Sequence, residues 1–204
     1  MSEIYALSDD ALTPPQTIFS QIDEILRCGV KLVQYRSKLA AQDEALIRSL
    51  IGLCEDYGAK LIINDDAALA KKLDAHGVHI GENDGETAQV REFLGADKII
   101  GVSCYASLAR AQKAEAQGAS YVAFGSLRRG KTKPDAPLCP DALVQEARKS
   151  LNLQIAVIGG ISLENLNEIL ALKPDYIAMV EAIYRPASIT QNLANLKEKM
   201  DEYI

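Results

Sequence analysis

The chain has 204 residues, 48% apolar and 25% charged, the balance of a globular protein long enough to bury a substantial core. A net charge of −6 without a basic stripe argues against a nucleic-acid binder. No run approaches a membrane span, Met1-Ser2-Glu3-Ile4-Tyr5 does not begin a signal peptide, and the widely separated Cys28, Cys54, Cys104 and Cys139 read as reduced thiols of a cytoplasmic protein.

Short β-rich runs alternate with amphipathic stretches along the chain. The first predicted strand, Ile4–Leu7, is followed by a helix over Ile18–Cys28 that Gly29 closes. The second strand, Leu32–Arg36, leads into Ser37-Lys38 and carries Gln34, Arg36 and Lys38 at alternate positions, on one face. Either it is an edge strand with a solvated face, or it buries an arginine that needs an anion. A helix over Asp43–Tyr57 stops at Gly58. Strand Leu61–Asn64 runs into Asp65-Asp66, and Gly77–Ile80 into Gly81-Glu82-Asn83-Asp84-Gly85. Ile99–Ser103 ends on a hydroxyl, and a helix over Leu108–Gln117 stops at Gly118. After Tyr121–Phe124 comes a cationic loop with Arg128, Arg129, Lys131 and Lys133. Ile155–Ile158 ends in Gly159-Gly160, predicted to open a helix that runs over Leu163–Leu172, with Pro174 beyond it. Tyr176–Val180 meets Glu181, and a last helix spans Ser188–Met200.

Strands alternating with helices imply parallel pairing through right-handed crossovers. Eight such units predict a single-domain α/β (β/α)₈ barrel over residues 1–204, with a six-stranded doubly wound sheet as the alternative. No G-x-G-x-x-G follows the first strand, which weakens a dinucleotide-binding fold. In a barrel, chemistry sits at the C-terminal strand ends. Those ends carry Gln34, Arg36, Lys38, Asn64, Asp65, Asp84, Ser103, Lys133 and Glu181, both cations and carboxylates. That mixture suits a di- or triphosphate held partly by Arg and Lys and partly through a divalent ion. Asp65 and Asp84 are the metal candidates, although an Asp after a strand also caps helices. Gly159-Gly160 fits either a phosphate at a helix start or a tight turn. His76 and His79 are assigned no role.

With those residues assembled, the chain resembles the thiamine phosphate synthase family, within a superfamily shared with thiazole tautomerases. The resemblance rests on Gln34-Tyr35-Arg36-Ser37-Lys38, Ile62-Ile63-Asn64-Asp65, Gly77-Val78-His79-Ile80-Gly81 with Asp84, Ile100-Gly101-Val102-Ser103, Thr132-Lys133-Pro134-Asp135-Ala136 and Gly159-Gly160-Ile161, in that order. It implies a transferase joining 4-amino-5-hydroxymethyl-2-methylpyrimidine diphosphate to 4-methyl-5-(2-phosphoethyl)thiazole, or its carboxylated form, with release of pyrophosphate. The resemblance puts Arg36, Lys38 and Lys133 on the leaving diphosphate, Mg²⁺ on Asp65 and Asp84, and Gln34, Tyr35, Ser37, Asn64 and Ser103 around the first substrate. Gly130, Lys131, Thr132, Gly160, Val180 and Glu181 fall to the thiazole phosphate. The implied partners are these small molecules, with neither nucleic acid nor membrane, and a homo-oligomer is compatible. Two positions depart from the family: Glu181 replaces a small hydroxyl residue, and Gly130 a common threonine. A thiazole tautomerase needs a histidine where Tyr105 stands. A non-catalytic phosphate-binding regulator is the remaining alternative, favoured by Glu181.

Overall fold

The computed structural model describes residues 2–39, 41–130 and 137–203. Eight parallel strands close on themselves in chain order: β1 (Glu3–Leu7), β2 (Leu32–Tyr35), β3 (Lys60–Asn64), β4 (Gly77–Ile80), β5 (Ile99–Tyr105), β6 (Tyr121–Phe124), β7 (Gln154–Ile158) and β8 (Tyr176–Met179). Around them lie α1 (Ile18–Arg27), α2 (Glu44–Asp56), α3 (Ala67–Lys72), α4 (Thr87–Leu94), α5 (Leu108–Ala116), α6 (Asp141–Ser150), α7 (Leu166–Leu170), α8 (Glu181–Tyr184) and α9 (Ile189–Glu202). This is a (β/α)₈ barrel. Pairing of β1 with β8 removes both sheet edges, and with them the edge-strand reading of β2 and the doubly wound sheet.

Local chemistry sets the helix limits. The Asp43 carboxylate accepts the Leu46 N–H at the start of α2, and Gly29, Gly58 and Gly118 follow their helices at φ 82°, 59° and 87°. The outward side chains of the strands, such as Val33, Leu61, Ile63 and Val122, pack against helix stripes such as Ile22, Ile25, Ile47 and Leu50. Each such fully buried aliphatic contributes about 1.5–3 kcal/mol. The inward set is smaller: Tyr5, Leu7, Leu32, Ile62, Tyr121, Ala123, Ala156 and Ala178. Gly101 is required by this inner packing, because a Cβ there would fall 2.1 Å from Tyr121 Cζ.

Two expectations are corrected. Strand β2 ends at Tyr35, so Arg36 and Lys38 stand in the following loop rather than on a strand face. The ladder stops because the Ser8 hydroxyl takes both backbone groups of Arg36, accepting its N–H at 2.7 Å and donating to its C=O at 3.1 Å. Gly159-Gly160 does not open a helix, since α7 begins only at Leu166. Both glycines have positive φ, 108° and 61°. The Asn165 side chain then turns the chain by accepting the Ser162 N–H and donating to Gly160 C=O.

Candidate active site

The C-terminal rim gathers one compact ionic cluster. The Lys38 ammonium lies 2.6 Å from Asp65 Oδ2, and the Asp84 and Asn64 side chains act electrostatically on the same carboxyl. Asp65 is held at φ 65°, a left-handed conformation rare for a residue with a Cβ, while its N–H donates to His79 C=O. Helix α3 is capped by the next residue: the Asp66 carboxylate accepts the Leu69 N–H. That division of labour leaves the Asp65 carboxylate to the rim. Asp84 is pinned by the Gly81 N–H at 2.7 Å, an approach close enough that a Cβ on residue 81 would sit 2.9 Å from the same oxygen.

The two carboxyls shift in opposite directions. Burial works to raise Asp65, but the Lys38 ammonium outweighs it and holds the group below the ordinary aspartate range. Burial and the adjacent Asp65 charge push Asp84 up against the opposing Gly81 N–H. Among the described residues, no group of three or more His, Cys, Asp or Glu could hold a metal alone. Two neighbouring carboxylates beside an ammonium instead suit a hard cation completed by substrate oxygens and water.

Beneath this cluster runs a buried polar chain. Gln34, only 2% exposed, donates from Nε2 to Tyr5 Oη at 2.7 Å. Tyr5 Oη lies 2.9 Å from Tyr121 Oη, which lies 2.9 Å from His79 Nδ1. His79 Nε2 reaches Ser103 Oγ at 2.8 Å. Burial lowers the His79 pKa to about 4 against the opposing charge of Asp65, so the ring is neutral near pH 7. Burial also drives the Tyr5 and Tyr121 hydroxyls well above their usual values. None of these rings was assigned a role from sequence. The available signal was their parity: Tyr5, His79 and Tyr121 occupy the inward positions of β1, β4 and β6.

The remaining predicted residues fall in different places. Arg36 sits near Asp9, 4.0 Å between Nη1 and Oδ2. Tyr35 packs in the outer core, and its neighbour Ser37 accepts the Leu39 N–H. Gly130 and Gly160 do meet: a Cβ on Gly130 would stand 3.4 Å from Gly160 N, and one on Gly160 would strike Arg128 O at 2.6 Å. Val180 packs against the inner cluster, and half-buried Glu181 opens α8. Arg128 is committed elsewhere, forked onto Asp141 at 2.7 and 2.9 Å with Glu168 at 3.0 Å. Tyr105 is exposed beneath the Arg110 guanidinium. Lys131, Thr132 and Lys133 lie outside the described residues.

Residues 4–183 match the sequence pattern of the family described as thiamine monophosphate synthase. The chain belongs to that family. The thiamine-phosphate synthase of Azoarcus sp. is 42% identical over 192 residues, 92% of each chain. That of Methylobacillus flagellatus is 43% identical over 185 residues, 88% of each. Among solved structures, the thiamine phosphate pyrophosphorylase of Pyrococcus furiosus superposes with a TM-score of 0.88 at 27% identity, covering 99% of this chain and 96% of the other. The 3-hexulose-6-phosphate synthase of Salmonella typhimurium, at 18% identity and a TM-score of 0.75, shares the barrel alone. In this synthase family member, Lys38, Asn64, Asp65 and Asp84 are in one cluster, with Gln34 and Ser103 joined to it from below through the tyrosines and His79.

Proposed function

We propose that this chain is a transferase that makes thiamine phosphate from a hydroxymethylpyrimidine diphosphate and a thiazole phosphate, releasing pyrophosphate. The observation that carries the reading is the Lys38–Asp65–Asp84 cluster at the barrel mouth, in a chain 40–43% identical to named thiamine-phosphate synthases. Arg36, Lys38 and Lys133 take the charge of the departing diphosphate. Gln34, Tyr35, Ser37, Asn64 and Ser103 serve the pyrimidine diphosphate. Gly130, Lys131, Thr132, Gly160, Val180 and Glu181 border the thiazole phosphate. Asp65 and Asp84 would hold Mg²⁺, which when bound supplies further positive charge on the diphosphate oxygens.

The chemistry asks little acid–base work of the chain. The C–O bond to diphosphate breaks with its electron pair, leaving a resonance-stabilised pyrimidine methylene cation. The thiazole nitrogen lone pair then forms the new C–N bond. Fixed cations around the leaving group and alignment of the two rings supply the acceleration. With both ring nitrogens hydrogen-bonded to Tyr121 and Ser103, His79 is consistent with a site that needs no base.

The substrates are small molecules, and among the described residues no helix is long and apolar enough to cross a membrane. All four cysteines are free thiols, in keeping with a reducing compartment such as the cytoplasm. The test is to mix purified protein, both substrates and Mg²⁺ and assay thiamine phosphate. Tight diphosphate binding without product would overturn the synthase reading in favour of a regulator.

A further inference from the structure

We propose that His79 is a positioning residue: hydrogen bonds relayed from Gln34 through Tyr5 and Tyr121 fix its tautomer, so that Nε2–H donates to Ser103 Oγ and the Ser103 hydroxyl proton is turned toward the substrate. The inference rests on Ser103 meeting the pyrimidine diphosphate, as proposed above.

The polarity follows from counting protons along the chain. The Gln34 Nε2 amide can only donate, and it donates to Tyr5 Oη. Tyr5 therefore has its own proton for Tyr121 Oη, the next oxygen in line. Tyr121, having accepted that proton, points its own at His79 Nδ1. A neutral imidazole whose Nδ1 accepts carries its hydrogen on Nε2. Nε2 faces Ser103 Oγ, which must then accept, leaving its single hydroxyl proton for a partner in the mouth.

Two observations keep the relay in this state. The His79 ring is stacked on Tyr121 at 25° with 5.6 Å between centroids, which opposes a ring flip. Tyr121 is in turn lodged over Gly101, where no larger residue fits, and edge-on to Tyr5 at 86°.

A chain of this kind controls which way a serine points, which a pyrimidine or diphosphate acceptor would sense as one donor gained or lost. The direct test is ¹⁵N NMR of histidine-labelled protein near pH 7. The expected spectrum shows His79 with a protonated Nε2 and a bare Nδ1. A proton on Nδ1 would reverse the relay and overturn the proposal, whether or not the protein proves to be a synthase.

Kinetics supply the second arm. Tyr121→Phe removes the donor to Nδ1, and turnover should fall about tenfold, the size of one neutral hydrogen bond. In a Ser103→Ala background the same change should alter turnover less than about twofold. An equal loss in both backgrounds would mean Tyr121 acts through packing instead. Should Tyr121→Phe fail to fold, the comparison of His79→Gln with His79→Leu replaces it. Gln keeps an N–H near Ser103 and should recover most of the turnover that Leu loses, and equal impairment would overturn the proposal.

Discussion

Replacing Arg36 by Ala separates an active-site cation from a structural one. The guanidinium lies 4.0 Å from Asp9, and the two side chains are 26% and 23% exposed. A unit-charge pair at that distance is worth about 4 kcal/mol at an effective dielectric near 20. Solvent screening and the entropy of ordering two side chains reduce measured pairs of this kind to about 1 kcal/mol or less. The loop does not depend on the side chain, because the Arg36 backbone is held at both N–H and C=O by Ser8. Arg36→Ala should therefore lower the melting temperature by about 2–4 °C. Removing one preorganised partner of a departing anion, by contrast, lowers turnover about 10²–10³-fold. The assays are thiamine phosphate formation with both substrates saturating and thermal unfolding by circular dichroism. A melting drop beyond about 10 °C would identify a structural ion pair, and turnover within about threefold of the parent would remove Arg36 from the leaving-group site. Either result refutes the reasoning.

Three further outcomes are expected. Asp84 is raised and Asp65 lowered, so Asp65 stabilises the fold above its unfolded pKa and loses that contribution as acid protonates it, whereas ionised Asp84 opposes folding. Asp84→Asn should accordingly raise the metal-free melting temperature at pH 7 and abolish any further rise on adding Mg²⁺, and a surviving Mg²⁺ shift would take Asp84 out of the metal site. Gly101→Ala places a Cβ 2.1 Å from Tyr121 Cζ and should destabilise by about 3 kcal/mol in urea titrations, a change below about 1 kcal/mol showing that the ring moves aside freely. Glu181→Ser should lower the KM for the thiazole phosphate by removing a carboxylate from the start of α8, and an unchanged KM would mean that Glu181 points away.

The strand and helix pattern was legible because periodicity is a local property. Val33, Leu61, Ile63 and Val122 had to face the helices, and each predicted strand end lies within two residues of the observed one. Even the cluster of Lys38, Asn64, Asp65 and Asp84 could be anticipated, since each follows or ends a strand and barrel topology gathers those ends on one rim. Less was legible where partners come from distant segments. That Arg36 leaves the sheet depends on a hydroxyl at Ser8, on a neighbouring strand's loop. Whether Asp65 or Asp66 caps α3 depends on a backbone twist at φ 65°, which residue type does not announce.

The sequence by itself determined the alternation of strands and helices and the charges available at each strand end, because these follow from period and residue type. Only the tertiary structure decided that Gln34, Tyr5, Tyr121 and His79, on β2, β1, β6 and β4, share one hydrogen-bonded layer under Ser103. Closure of the barrel sets that register. Inward parity names the side chains in the interior, but the stagger between strands chooses which of them touch.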